Sequence, residues 1–90
     1  MKIIYTKHAL GKFASLKETG FVASRAQVKA TILNPDSGPT EGRYNTRVVV
    51  KSLDNKHSLR VIYVRVGDII TVITFYPITK GRYEQKQKQN

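Results

Sequence analysis

Ninety residues carry 16 lysines and arginines against 6 aspartates and glutamates, a formal charge of +10, with no cysteine. A chain of this size builds one compact domain that buries about two-thirds of its unfolded surface, so there is no room for a second module. A disulfide framework and thiolate zinc sites are excluded, and no segment approaches the ~20 apolar residues of a membrane span.

The positive excess is spread along the chain: +3 over residues 1–42, +4 over 43–76 and +3 over 77–90. No detached basic arm accounts for it, so an anionic partner is expected, nucleic acid before an acidic protein. Plain solubility is the competing explanation of the charge. A membrane surface fits poorly, because no amphipathic stretch combines Lys or Arg with Trp, Phe and Leu. The absence of cysteine fits a reducing compartment, so the cytosol is expected, and the apolar run at the start is too short for a signal peptide.

Lys2-Ile3-Ile4-Tyr5 reads as a short strand. Thr6 can cap a helix whose apolar positions Ala9, Leu10, Phe13, Ala14 and Leu16 follow the helical period, and Gly20 ends it. Ser24-Arg25-Ala26-Gln27 is a capping box for a second helix with Val28, Thr31 and Ile32 inward; Asn34-Pro35 stops it. Residues 35–42, Pro-Asp-Ser-Gly-Pro-Thr-Glu-Gly, carry turn chemistry throughout and are expected to form the one substantial loop.

Three β-rich runs follow, at about 44–53, 58–66 and 69–76, spaced as an antiparallel meander. A two-residue turn at Gly67-Asp68 sets Val66 against Ile69, and counting back pairs Ile62 with Ile73 and Arg60 with Phe75. Both faces of such a sheet are largely apolar. Two helices cover only one of them, so the C-terminal tail, a second copy or a partner protein is expected on the other. Residues 84–90, Glu-Gln-Lys-Gln-Lys-Gln-Asn, read as a polar, disordered tail. The expected fold is α+β: an N-terminal strand, two helices, then a three-stranded antiparallel meander, with the helices on one face.

Arg60 interrupts the apolar run Leu59-Arg60-Val61-Ile62-Tyr63, and an arginine in such a strand is costly unless it meets an anion. Phosphate is one partner; an acid such as Asp54 or Glu84 is the other.

This order of elements, with Thr6-Lys7-His8-Ala9, the Arg25 helix ending in Asn34-Pro35-Asp36, Leu59-Arg60-Val61-Ile62-Tyr63 and Ile73-Thr74-Phe75-Tyr76-Pro77, resembles the RelE/ParE superfamily of bacterial and archaeal toxins. The resemblance is to an uncharacterised group of small RelE-like prokaryotic domains and covers about residues 2–83, a single RelE-like domain over 1–83. It implies a toxin-antitoxin protein: a messenger-RNA endonuclease acting at the ribosome and neutralised by an acidic antitoxin. A gyrase inhibitor of the ParE kind is a further possibility within the superfamily. By the same resemblance Arg60 takes the place of a catalytic arginine in a strand, and Tyr83 that of a terminal tyrosine. The second catalytic arginine has no strict equivalent: Ile78 and Thr79 fall near its place, with Lys80 or Arg82 as substitutes. Where the nucleases carry paired lysines, this chain has Arg47 and Lys51 on one side of a strand with Val49 between them.

Metal-free RNA cleavage needs a base for the ribose 2′-hydroxyl, cations for the charge on phosphate, and assistance to the leaving oxygen. Arg60 suits the second task. His8 is a candidate base, with a hydrogen-bonded packing role as its alternative, and Lys80 and Lys51 are others; His57, in a turn, is a reserve. Arg43, Arg47, Lys51, Arg60, Lys80 and Arg82 are the candidate phosphate contacts, and Tyr44, Tyr63, Tyr76 and Tyr83 offer rings for unpaired bases. Two separate histidines and scattered acids point to no metal, and no glycine-rich nucleotide loop indicates a cofactor. The competing function is a non-catalytic binding module of the same fold, dimerising through its second apolar face or holding RNA or an acidic protein.

Overall fold

A computed structural model describes residues 1–80. The chain runs β1 (Lys2–Tyr5), α1 (Lys7–Glu18), α2 (Arg25–Leu33), β2 (Ser37–Glu41), a single 3-10 turn (Arg43–Asn45), β3 (Arg47–Ser52), β4 (His57–Val66) and β5 (Ile69–Thr79). The class is α+β with two helices, but the sheet has five strands and is mixed, in the order β1-β5-β4-β3-β2. Expectation and structure differ at both edges. At one, β1 pairs parallel with β5 from Lys2↔Ile69 to Tyr5↔Val72. At the other, the expected loop contributes β2, antiparallel to β3. Every residue of β2 is exposed. An edge strand needs backbone partners rather than burial, so it leaves no apolar period, and it tolerates Pro39.

Both helix starts are set by their caps. Ser24 Oγ accepts from the Gln27 N–H at 3.1 Å and Gln27 Oε1 accepts from the Ser24 N–H at 2.9 Å, closing the capping box. Thr6 Oγ1 accepts from the Ala9 N–H at 3.0 Å and donates to the Ile73 carbonyl at 3.1 Å, so one hydroxyl starts α1 and ties it to β5. Gly20, at φ 92, turns the chain after α1 in the left-handed region that glycine enters without penalty.

The core lies between the helices and one face of the sheet: Ala9, Val28, Ile32, Val49, Leu59, Val61, Tyr63, Ile70, Val72 and Phe75, with Phe13 and Leu16 packed against it. In α2 the inward residues are Val28, Thr31 and Ile32, and the Thr31 hydroxyl is satisfied by the Gln27 carbonyl at 2.8 Å. The inward stripe of α1 is narrower than its sequence suggests: Ala9, Phe13 and Leu16 turn in, whereas Leu10 and Ala14, one step round the helix, face solvent.

The β4–β5 turn pairs Val66 with Ile69, but the register shifts by one residue farther along. Tyr63 pairs with Val72 and Ile62 with Thr74, leaving Ile73 as an extra residue. Ile62 therefore does not face Ile73, nor Arg60 Phe75; Arg60 faces Tyr76. The cause is the core: Val72 and Phe75 are both fully buried although they stand three positions apart, and only a bulge puts both on one face. Among the described residues, no helix is long and apolar enough to cross a membrane.

Candidate functional site

The bulge decides what lies on the sheet face away from the core. Alternation places Arg60, Ile62 and Val64 of β4, Val48 and Val50 of β3, and Thr71, Thr74 and Tyr76 of β5 on that side. Arg60 is half-buried there, and its Nη1 donates to the Tyr76 hydroxyl at 2.8 Å. Its guanidinium carbon is 5.6 Å from the Tyr76 ring centroid.

Helix α1 supplies the rim. β1 covers β5 only as far as Val72, and beyond that point the Thr6 N–H donates to the Val72 carbonyl at 3.0 Å while the Thr6 hydroxyl holds Ile73. The first turn of α1 is thereby fixed against the edge of β5. His8 follows two residues later, with Nε2 3.3 Å from Thr74 Oγ1, and Lys12, one turn farther on the same helix face, brings its ammonium to 5.9 Å from the Tyr76 ring centroid. Arg60, Tyr76, Thr74, His8 and Lys12 thus converge from three elements, β4, β5 and α1. Thr74 and Tyr76 are alternate residues of one strand, about 7 Å apart.

No acid neutralises this group among the described residues. Arg60 and Lys12 form no ion pair there; the two ion pairs are Lys51–Asp36 and His57–Asp54. Asp54, one of the acids expected to compete for Arg60, is engaged in its own turn. The backbone N–H groups of Lys56 and His57 donate to it at 2.7 Å each and hold its carboxyl below the usual value. Glu84, the other, lies outside the described residues.

The remaining candidates are dispersed. Arg47 and Lys51 share a side, as their spacing predicts, but it is the helix side, since they pair with Tyr63 and Leu59. Lys51 Nζ donates to the Asn34 carbonyl at 2.8 Å, where α2 ends, and lies 3.9 Å from Asp36. Lys51 serves the end of that helix, away from Arg60. Lys80 directs its ammonium to the Ser52 hydroxyl at the far end of the sheet. Arg43 lies on the 3-10 turn, where its carbonyl accepts from Thr46. His57 opens β4, with Nδ1 3.3 Å from Asp54 Oδ1 and its ring edge-on to Phe21. Arg82 and Tyr83 lie outside the described residues. On the helix side Arg25 stands 5.1 Å from the Tyr5 ring centroid; burial pushes the Tyr5 phenol up and Arg25 draws it partly back. Among the described residues, no three of His, Cys, Asp and Glu gather in a way that could hold a metal ion.

Sequence reasoning missed Lys12 and Thr74. Lys12 stands at i+4 from His8, the helical spacing that puts two side chains on one face, and that signal was present. Thr74 reaches the site only through the bulge. No family model, curated protein or solved structure matches this chain.

Proposed function

We propose that this protein is a RelE-like toxin-fold RNA-binding protein of a toxin-antitoxin type, cleaving messenger RNA without a metal. The observation that carries the reading is Arg60: a half-buried residue in an apolar strand whose guanidinium forms no ion pair among the described residues and is oriented by a tyrosine hydroxyl. A guanidinium so placed presents its remaining N–H groups to two oxygens of a phosphate.

In this reading His8 takes the proton of a ribose 2′-hydroxyl. The 2′-oxygen then attacks the adjacent phosphorus while the bond to the 5′-oxygen breaks. Arg60, with Lys12 at the same Tyr76 ring, neutralises charge on the non-bridging oxygens. Tyr76, whose oxygen accepts from Arg60, keeps its own proton to give to the leaving 5′-oxygen. The products are a 2′,3′-cyclic phosphate and a 5′-hydroxyl end. Lys80, Arg82 and Tyr83 extend the contact along the strand of RNA, and a short acidic antitoxin is the expected antagonist.

One observation favours the non-catalytic alternative. Ile4, Ile69 and Val66 are 40%, 45% and 73% exposed at one end of the sheet, apolar surface that a second copy would cover.

The test is induced expression in a bacterial host, wild type against Arg60→Ala at equal protein levels, with mapping of new 5′ ends on translated messages. Growth arrest with new 5′-hydroxyl ends, both lost in Arg60→Ala, is the expected result. Normal growth with uncut messages would overturn the nuclease reading, and a salt-insensitive dimer without RNA affinity would replace it by the binding module.

A further inference from the structure

The far end of β4 holds a second feature that the Arg60 site does not use. β4 continues for three residues beyond Tyr63, the partner of Arg47, so Val64–Val66 pair with β5 on one edge and, among the described residues, with no strand on the other. Beside that free edge is a recess of about 280 Å³ whose walls include Glu41, Thr46, Arg47, Val64, Arg65 and Val66.

The turn that closes it is built to project one side chain. The Gly42 N–H donates to the Thr46 carbonyl at 2.8 Å, and the Thr46 N–H and hydroxyl both donate to the Arg43 carbonyl, at 3.1 and 2.6 Å. Any side chain at Gly42 would collide with that of Thr46. Between these fixed points Tyr44 and Asn45 both adopt the left-handed conformation, at φ 57 and 61, which is unfavourable for a bulky residue. The result is a tyrosine 90% exposed, between Arg43 and Asn45, the latter a residue of the recess wall. Folding gives no return for holding an aromatic ring in water on a strained backbone, so the gain lies in what the ring meets.

We infer that Tyr44 and the Arg47–Arg65 recess form a binding subsite for one unpaired nucleotide of single-stranded RNA. The ring stacks on the base, as aromatic platforms do in single-strand binders. The unpaired edge of β4 offers backbone N–H and C=O groups to the edge of the base, and Val64 and Val66 line the space with apolar surface. Arg47 and Arg65 outnumber Glu41 two to one in the recess wall and, with Arg43 of the turn, hold the flanking phosphates. Arg65 is five residues along β4 from Arg60, about 17 Å and on the opposite face of the sheet, so a strand that reaches both crosses the edge of β4 beyond β3. This inference rests on the RNA-binding reading given above.

The test is fluorescence anisotropy of the full chain with a labelled twelve-residue single-stranded RNA, and with an abasic ribose-phosphate strand of equal length. Tyr44→Ala is expected to weaken RNA binding about tenfold while leaving the abasic strand unaffected, and Tyr44→Phe to bind as the wild type does. Circular dichroism of each variant monitors the fold. Equal RNA affinity of Tyr44→Ala and wild type would overturn the subsite and leave RNA binding at Arg60 standing. Absence of RNA binding by the wild type would overturn both, and self-association lost in Tyr44→Ala would assign the turn to a second copy instead.

Discussion

Arg60 donates to the Tyr76 hydroxyl at 2.8 Å across a pair of strand positions that face each other because Ile73 is left out of the ladder. The contact aims the guanidinium without neutralising it. Arg60→Lys keeps the charge and loses the two-pronged donor, so RNA cleavage is expected to fall by about 100-fold. Stability should change by less than about 1 kcal/mol, because no buried acid loses a partner. Tyr76→Phe keeps the ring and removes the hydroxyl that the proposed mechanism assigns to the leaving oxygen. Its turnover should drop at least about tenfold with RNA affinity nearly unchanged. Single-turnover cleavage alongside urea unfolding separates these effects, and a loss confined to affinity would remove Tyr76 from the chemistry.

Thr6 carries two jobs in one hydroxyl. Thr6→Ala removes the cap of α1 and the bond to the Ile73 carbonyl, and is expected to cost about 1–2 kcal/mol in urea unfolding, with Thr6→Ser restoring most of it. The Ala9 amide should exchange with solvent faster in Thr6→Ala. Unchanged exchange there would show that α1 is held by its packing alone.

The β3–β4 turn sets an acid limit. Hydrogen bonds from the Lys56 and His57 backbone hold the Asp54 carboxyl below its ordinary value of 3.8, so on acidification the unfolded chain takes up this proton before the folded one does. The stability supplied by Asp54 is therefore complete above that ordinary value and drains away as pH falls through the folded one. Urea midpoints measured from roughly pH 6 to 2 should show wild type losing its advantage over Asp54→Asn at the acid end. Parallel curves would assign the acid sensitivity to other carboxylates.

What the chain disclosed about itself followed the range of the interactions. Capping at Ser24 and Gln27 is local, as is the turn that sets Val66 against Ile69, and both can be read from a few neighbouring letters. The bulge could not be read. Ile73 is apolar, a two-residue period runs through it without a visible break, and the shift is imposed by the distant requirement that Val72 and Phe75 share a core. β2 left no apolar signature because it buries nothing, and the pairing of β1 with β5 joins the two ends of the described fold. Arg60 was legible as an anomaly within its strand. His8 was named as a candidate base, but that it meets Lys12 near Tyr76 was not legible, since both arrive from a helix more than forty residues away from Arg60 in sequence.

The two bonds of Thr6 also make the group at Tyr76 divisible. Arg60, Tyr76 and Thr74 belong to the sheet and stay in register however α1 moves, whereas His8 and Lys12 arrive only while that helix is docked. If the proposed nuclease reading holds, an antagonist that drew α1 off the edge of β5 would leave Arg60 and Tyr76 in place and withdraw His8, separating RNA binding from cleavage. Inhibition by that route would show retained RNA affinity together with loss of protection at the Ala9 amide.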